Sequence, residues 1–190
     1  MSYFANAAAL LIEIVFGVIV ALFVLRALAE AVRADFYNPL SQFLYRTTNP
    51  VLIPLKRVIP NFRRINLAAL VLAWLAEFIK NVLLYALIGF RGAIPGLLLL
   101  GFADLLDFFA VLYLAMIFIW ALLSFVSLDA RHPLIPLLGR LVEPVLRPLR
   151  RLLPAPGGLD LSPALAILIV LLLRLLIVAP LLDLGHRLSL

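Results

Sequence analysis

A proline-rich, basic segment that recurs after 94 residues constrains this chain more than any other feature. Asp35, Pro39, Leu40, Arg46, Pro50, Val51, Leu52, Pro54, Leu55, Arg57 and Pro60 return without a gap as Asp129, Pro133, Leu134, Arg140, Pro144, Val145, Leu146, Pro148, Leu149, Arg151 and Pro154. Coincident prolines in one register point to two copies of one unit, residues 1–94 and 95–190, with proline-rich segments at 36–64 and 130–158. Any fold for this chain must therefore place the same unit twice.

Composition identifies the solvent. Apolar residues make up 66% of the chain, charged ones 14%, and mean hydropathy is +1.18, far above that of a soluble domain. Four stretches can cross a hydrocarbon core, which takes about 20 helical residues: Ala7 to Val32, Leu67 to Ile88, roughly Phe108 to Val126, and Leu161 to Leu182. The runs are continuous and rich in Leu and Ala, whereas a barrel strand alternates. The expected fold class is thus an all-α integral membrane protein with four spans in one membrane domain. The chain contains no cysteine, so it offers no disulfide, thiol nucleophile or thiolate metal site, and its redox compartment stays open.

The basic residues set the orientation. Arg33, Arg46, Lys56, Arg57, Arg63 and Arg64 follow the first span, and Arg131, Arg140, Arg147, Arg150 and Arg151 follow the third; the other side holds Arg91 and Arg187. The imbalance predicts that loops 33–64 and 127–158 are cytoplasmic and both termini periplasmic. The start does not read as a cleavable signal peptide, because a positive leading region is missing and Glu13 interrupts the apolar stretch. Each unit crosses twice, so the units are expected to be parallel, related by an axis along the membrane normal.

The two connections carry their own pattern. Each opens on an extended or capped start, Asn38-Pro39 or His132-Pro133, and a second short helix is expected from Asn49-Pro50 or Glu143-Pro144. At 100° per residue, Val51, Leu52, Leu55, Val58 and Ile59 share an arc opposite Lys56 and Arg57. Val145, Leu146, Leu149, Leu152 and Leu153 do the same against Arg147, Arg150 and Arg151. Interfacial helical hairpins in the headgroup region are expected, with Arg46, Lys56, Arg57, Arg140, Arg147, Arg150 and Arg151 as candidate ligands for anionic lipid or a partner. The alternative is that the arginines only enforce orientation and the prolines only end helices.

The run Asp35-Phe36-Tyr37-Asn38-Pro39-Leu40-Ser41-Gln42-Phe43, the paired Pro-Val-Leu-x-Pro-Leu-basic-Arg-x-x-Pro segments at 50–60 and 144–154, and Gly158-Leu159-Asp160-Leu161-Ser162-Pro163 resemble the YggT family of bacterial membrane proteins. The resemblance covers nearly the whole chain. It implies a multi-pass protein of the bacterial inner membrane with a part in osmotic-stress tolerance. Similar YlmG proteins are linked to cell division and nucleoid placement, and plastid relatives to haem attachment in cytochrome assembly. The haem role transfers least, since His132 and His186 are the sole histidines. No cofactor or metal site is expected.

Intramembrane charges form two sets. Glu13 returns as Asp107 and Lys80 as Arg174, predicting an acid–base pair within each unit. By helical rise Glu13 lies about 33 Å and Lys80 about 21 Å from the cytoplasmic marks, so a Glu13–Lys80 pair needs tilt, water or a reaching side chain. Asp104 and Asp107 have an alternative place at the outer headgroup boundary. Arg26 and Glu77 are charged in the first unit only, their counterparts being Trp120 and Leu171. This joint presence predicts an Arg26–Glu77 ion pair, with Glu30 one turn from Arg26 as a further participant.

Three function classes follow. The first is a non-enzymatic scaffold or assembly protein in envelope homeostasis, tied to osmotic stress or division-linked membrane organisation. The second is a small channel or transporter active as an oligomer. An enzyme is disfavoured, because no phosphate-cradling glycine loop or metal-spaced cluster is present and Ser124, Ser127 and Ser162 lack an adjacent base. The expected partners are anionic lipid headgroups and a homo-oligomer or membrane-protein partner, with no nucleic acid bound directly.

Overall fold

The computed structural model describes residues 3–35, 37–123, 134–152 and 160–190, together with the backbone but not the side chains of residues 124 and 125. Phe36, Arg131, the His132-Pro133 start, the end of the third stretch at Val126, Leu153, Pro154 and Gly158-Leu159 lie outside them. The described residues are helical: α1 (Tyr3–Ala31), α2 (Pro39–Lys56), α3 (Leu67–Leu87), α4 (Ile94–Phe125), α5 (Leu134–Leu152) and α6 (Ser162–Ser189). Helices α1, α3, α4 and α6 are long and apolar enough to cross a membrane. Three run past the stretches read from sequence: α1 starts at Tyr3, α4 at Ile94, and α6 continues to Ser189. Apolar side chains on both flanks let the helical hydrogen bonds propagate beyond a bare 20-residue span.

The packing is sequential. Helix α1 lies against α3, α3 against α4, and α4 against α6. Val20 and Val24 of α1, Ala73 and Ala76 of α3 and Leu105 of α4 share one buried core. Glycine sets the closest approaches along α4. A Cβ on Gly101 would sit 2.9 Å from the Phe78 backbone, and one on Gly96 would collide with the backbone at Leu188 and Ser189. The end of α6 docks at the α3–α4 connection, where Ala93 N–H donates to the Ser189 carbonyl at 3.0 Å and Tyr85 Oη pairs with Ser189 Oγ at 2.7 Å.

At the opposite end, α5 meets the end of α1 and the start of α2. Leu137 of α5 packs on the Ala29, Ala34 and Leu44 cluster, and Arg140 Nη1 donates to the Arg33 carbonyl at 2.9 Å. Neither segment is the expected hairpin of two short helices. Each is one helix that passes through its internal prolines, Pro50 and Pro54 or Pro144 and Pro148. A proline inside a helix removes one hydrogen bond to the carbonyl four residues earlier. Here the prolines are exposed and four apart, so both losses fall on the outer side, while the inner side keeps its packing.

That inner side also differs from the expected apolar arc. Ser41, Leu44, Thr48 and Leu52 are buried in α2, and Leu141, Val142, Leu146 and Leu149 in α5, against protein. Val51 and Val58 are exposed, as is Leu152. A surface helix projected alone shows its apolar arc but not which part a neighbouring helix end covers. Full burial of one leucine contributes about 2 kcal/mol, enough to fix the rotation of each helix.

Candidate functional site

The basic end holds three arrangements. In the first unit, Arg26 is buried in α1 at 3% exposure, and its Nη2 meets Glu30 Oε1 at 2.7 Å and Asn49 Oδ1 at 3.2 Å. Its guanidinium carbon stacks 3.2 Å over the Tyr45 ring. Glu30 Oε1 also accepts from Lys56 Nζ at 2.9 Å. The Glu30 carboxylate thus ties α1 to α2 through Lys56, and Arg26 reaches α2 through Asn49 and Tyr45. Burial pushes the Tyr45 phenol up from its ordinary range, against the pull of Arg26.

In the second unit, Arg150, the counterpart of Lys56, takes different partners: Glu143 Oε2 and Asp160 Oδ2, both at 2.9 Å. Asp160 Oδ1 accepts the Ser162 N–H at 2.9 Å and so caps the start of α6. Burial alone would raise the Asp160 carboxyl. The hydrogen bonds from Ser162 and the Arg150 charge outweigh it and hold the group below the usual aspartate range.

Between the units lies a cleft of about 770 Å³, lined by Arg33 and Arg64 from the first and Trp120, Arg140, Glu143 and Arg147 from the second, with apolar residues between. Arg33 ends α1 in a left-handed conformation, φ 52°. Ala34 N–H donates to the Ala29 carbonyl and Arg33 N–H to the Glu30 carbonyl, a helix terminus at which glycine is the usual residue. Arg64 follows Arg63, the other non-glycine with positive φ among the described residues, in a tight turn closed by Phe62 and Ile65. Gly139 admits Trp120, since a Cβ there would lie 2.9 Å from the indole.

The intramembrane charges are shared out differently from the sequence expectation. Arg174 and Asp107 come together, at 2.5 Å and 3.0 Å in a bidentate pair. Arg174 opens a π-helical turn, Arg174–Val178, and Ala179 N–H donates to the Arg174 carbonyl. Pro180, with no N–H and a ring that crowds the carbonyl four residues earlier, accounts for the widened turn. Lys80 does not take Glu13. It pairs with Glu77 on its own helix and lies 3.6 Å from Asp104 of α4, which also accepts from Asn81 Nδ2 at 2.7 Å. Glu13 is exposed on α1. Glu77 stands one turn from Lys80, whereas helical rise sets Glu13 about 12 Å away in depth.

The expected Arg26–Glu77 pair is likewise replaced. Arg26 takes Glu30 and Glu77 takes Lys80, each a partner within one turn of its own helix. Among the described residues no ion pair engages Arg46, Arg57, Arg140, Arg147 or Arg151, and all five are exposed. Lys56 and Arg150 are structural ties. Sequence reasoning passed over Arg33, Arg64 and Glu143 as ligands and Tyr45, Asn81 and Asp104 as partners. Tyr45 had a signal: its counterpart is Gly139, as the counterpart of Arg26 is Trp120.

Residues 5–87 and 99–181 each match the CCB3/YggT family. The uncharacterized protein PA0392 of Pseudomonas aeruginosa is 41% identical over 176 residues, covering 91% of this chain and 89% of that protein. The uncharacterized protein YggT of Escherichia coli strain K12 is 38% identical over 146 residues, 77% of this chain and 76% of its own length. An uncharacterized protein of Vibrio alginolyticus is 39% identical over 160 residues, 83% and 85% of the two chains. No solved structure matches the chain.

Proposed function

The chain belongs to the CCB3/YggT family, and from that membership and the charge on one end of its bundle we propose a non-enzymatic scaffold of the bacterial inner membrane. On this reading two parallel repeats present α2 and α5 on the cytoplasmic face, both termini are periplasmic, and the exposed cations engage anionic headgroups or an acidic membrane partner. Its role lies in envelope homeostasis under osmotic stress or in division-linked membrane organisation. The observation that carries the reading is the exposed, unpaired set Arg46, Arg57 and Arg151, borne by helices whose inner faces are packed on protein. The family match falling twice, at 5–87 and 99–181, supports the repeat.

The test changes Arg46, Arg57 and Arg151 together to glutamine, leaving the Lys56 and Arg150 ties intact. Insertion and abundance should be retained, while association with anionic vesicles and complementation of a deletion strain at high osmolarity fall. Wild-type behaviour in both would reduce these residues to orientation signals. A second reading, a small ion channel or transporter active as an oligomer, is favoured by the Glu77, Lys80, Asn81 and Asp104 cluster between α3 and α4. Ion flux in proteoliposomes that is abolished by Asp104→Asn would select it.

A further inference from the structure

Among the described residues, the cleft between the two units has charge without compensation. Four arginines line it, Arg33 and Arg64 from one unit and Arg140 and Arg147 from the other. The carboxylate on its wall, Glu143, is already held by Arg150, which does not line the cleft. Arg140 donates to the Arg33 backbone carbonyl, a neutral acceptor. Among the described residues no ion pair takes up any of the four.

The backbone is strained at the same place. Left-handed conformation costs a non-glycine residue about 1–2 kcal/mol, and of the two described instances, Arg33 and Arg63, the first itself lines the cleft. Strain kept in place of an available glycine points to a use for the side chain. The wall between the arginines is apolar, with Val32, Ile135, Pro136 and the Trp120 indole. A soluble anion leaves that wall in water, whereas the glycerol and first acyl carbons of a lipid cover it. Tryptophan favours this interfacial depth.

We propose that this cleft binds the headgroup of an anionic phospholipid carrying two phosphodiesters, one phosphate held by the arginine pair of each unit. Guanidinium forks match phosphate oxygens bidentately, and a single phosphate would leave one pair unanswered. The proposal rests on the reading in which this end of the bundle meets an anionic leaflet, and it names the lipid and the site. The site requires both units, so it gives the duplication a purpose.

The experiment measures equilibrium binding of full-length protein in neutral detergent micelles doped with cardiolipin, phosphatidylglycerol or phosphatidylcholine, with inorganic pyrophosphate as competitor. Cardiolipin should bind most tightly and pyrophosphate should not displace it. Arg64→Gln with Arg147→Gln should weaken cardiolipin about 30-fold, while Arg91→Gln with Arg187→Gln, which removes equal charge outside the cleft, stays within about threefold. Arg64→Lys with Arg147→Lys keeps the charge and the fold and should still lose most of the preference for two phosphates. Equal losses in cleft and control variants, a lysine variant that behaves as wild type, phosphatidylglycerol binding as tightly as cardiolipin, or displacement by pyrophosphate would each overturn the proposal. The two readings fail separately. Cleft variants that behave like controls on a protein that still needs anionic vesicles sink the site alone, and cardiolipin binding without any vesicle preference sinks the scaffold reading alone.

Discussion

Arg26 shows how a buried charge chooses its partner. Comparing the two units singles out positions 26 and 77, since both are charged in one copy and apolar in the other. The structure instead couples position 26 to position 45: Arg26 lies over the Tyr45 ring, and in the second unit Trp120 fills the space over Gly139. Volume and charge are exchanged together across that contact. A double-mutant cycle on Arg26→Met and Glu30→Gln should therefore give a coupling of about 1–3 kcal/mol, while Arg26→Met with Glu77→Gln should be additive within about 0.5 kcal/mol, read as thermal stability in detergent. Additivity in the first cycle and coupling in the second would restore the partner read from sequence. Asp160 supplies a pH test. Its folded pKa is depressed, so its contribution is present above the unfolded value of 3.8 and is lost as pH falls through the lower folded value. Asp160→Asn should flatten that part of the acid limb of stability and leave the neutral range less stable.

At the scale of the element, helix contacts divide the glycines. Gly17 has nothing within 4 Å of a built Cβ, whereas Gly185 would place one 3.0 Å from the Leu100 backbone. Gly17→Ala should raise stability by up to about 1 kcal/mol, and Gly185→Val should force α4 and α6 apart and destabilise by about 1–3 kcal/mol; equal melting temperatures for the two variants would contradict this packing. The same contrast marks what the sequence made legible. The four apolar helices are readable because lipid demands continuous apolar runs of fixed length. The course of α2 and α5 is not, because a proline reads as a stop unless the opposite face of the helix is known to be packed. Leu52, buried, and Val51, exposed, stand side by side in one apolar arc. Their separation depends on where the ends of α1 and α3 lie. Ion pairs followed local rules: Glu30 and Glu77 won because they stand one turn from Arg26 and Lys80, while the wider comparison between units found Arg174–Asp107.

At the scale of the whole molecule, the bundle has unlike ends. One end carries α2, α5, the basic cleft and the two strained arginines; the other brings the α3–α4 connection against the end of α6. On the proposed reading, the first end faces the cytoplasm and its anionic leaflet. Because the chain has no cysteine, single introduced thiols report each end without background. The measurement is labelling by a membrane-impermeant maleimide of Thr47→Cys, on the exposed side of α2, and Leu190→Cys, exposed beyond α6, in intact cells and in inside-out membrane vesicles. The account predicts that Thr47→Cys reacts in inside-out vesicles alone and Leu190→Cys in intact cells once the outer membrane is permeabilised. The reverse pattern, or reaction of both thiols from one side, would contradict it.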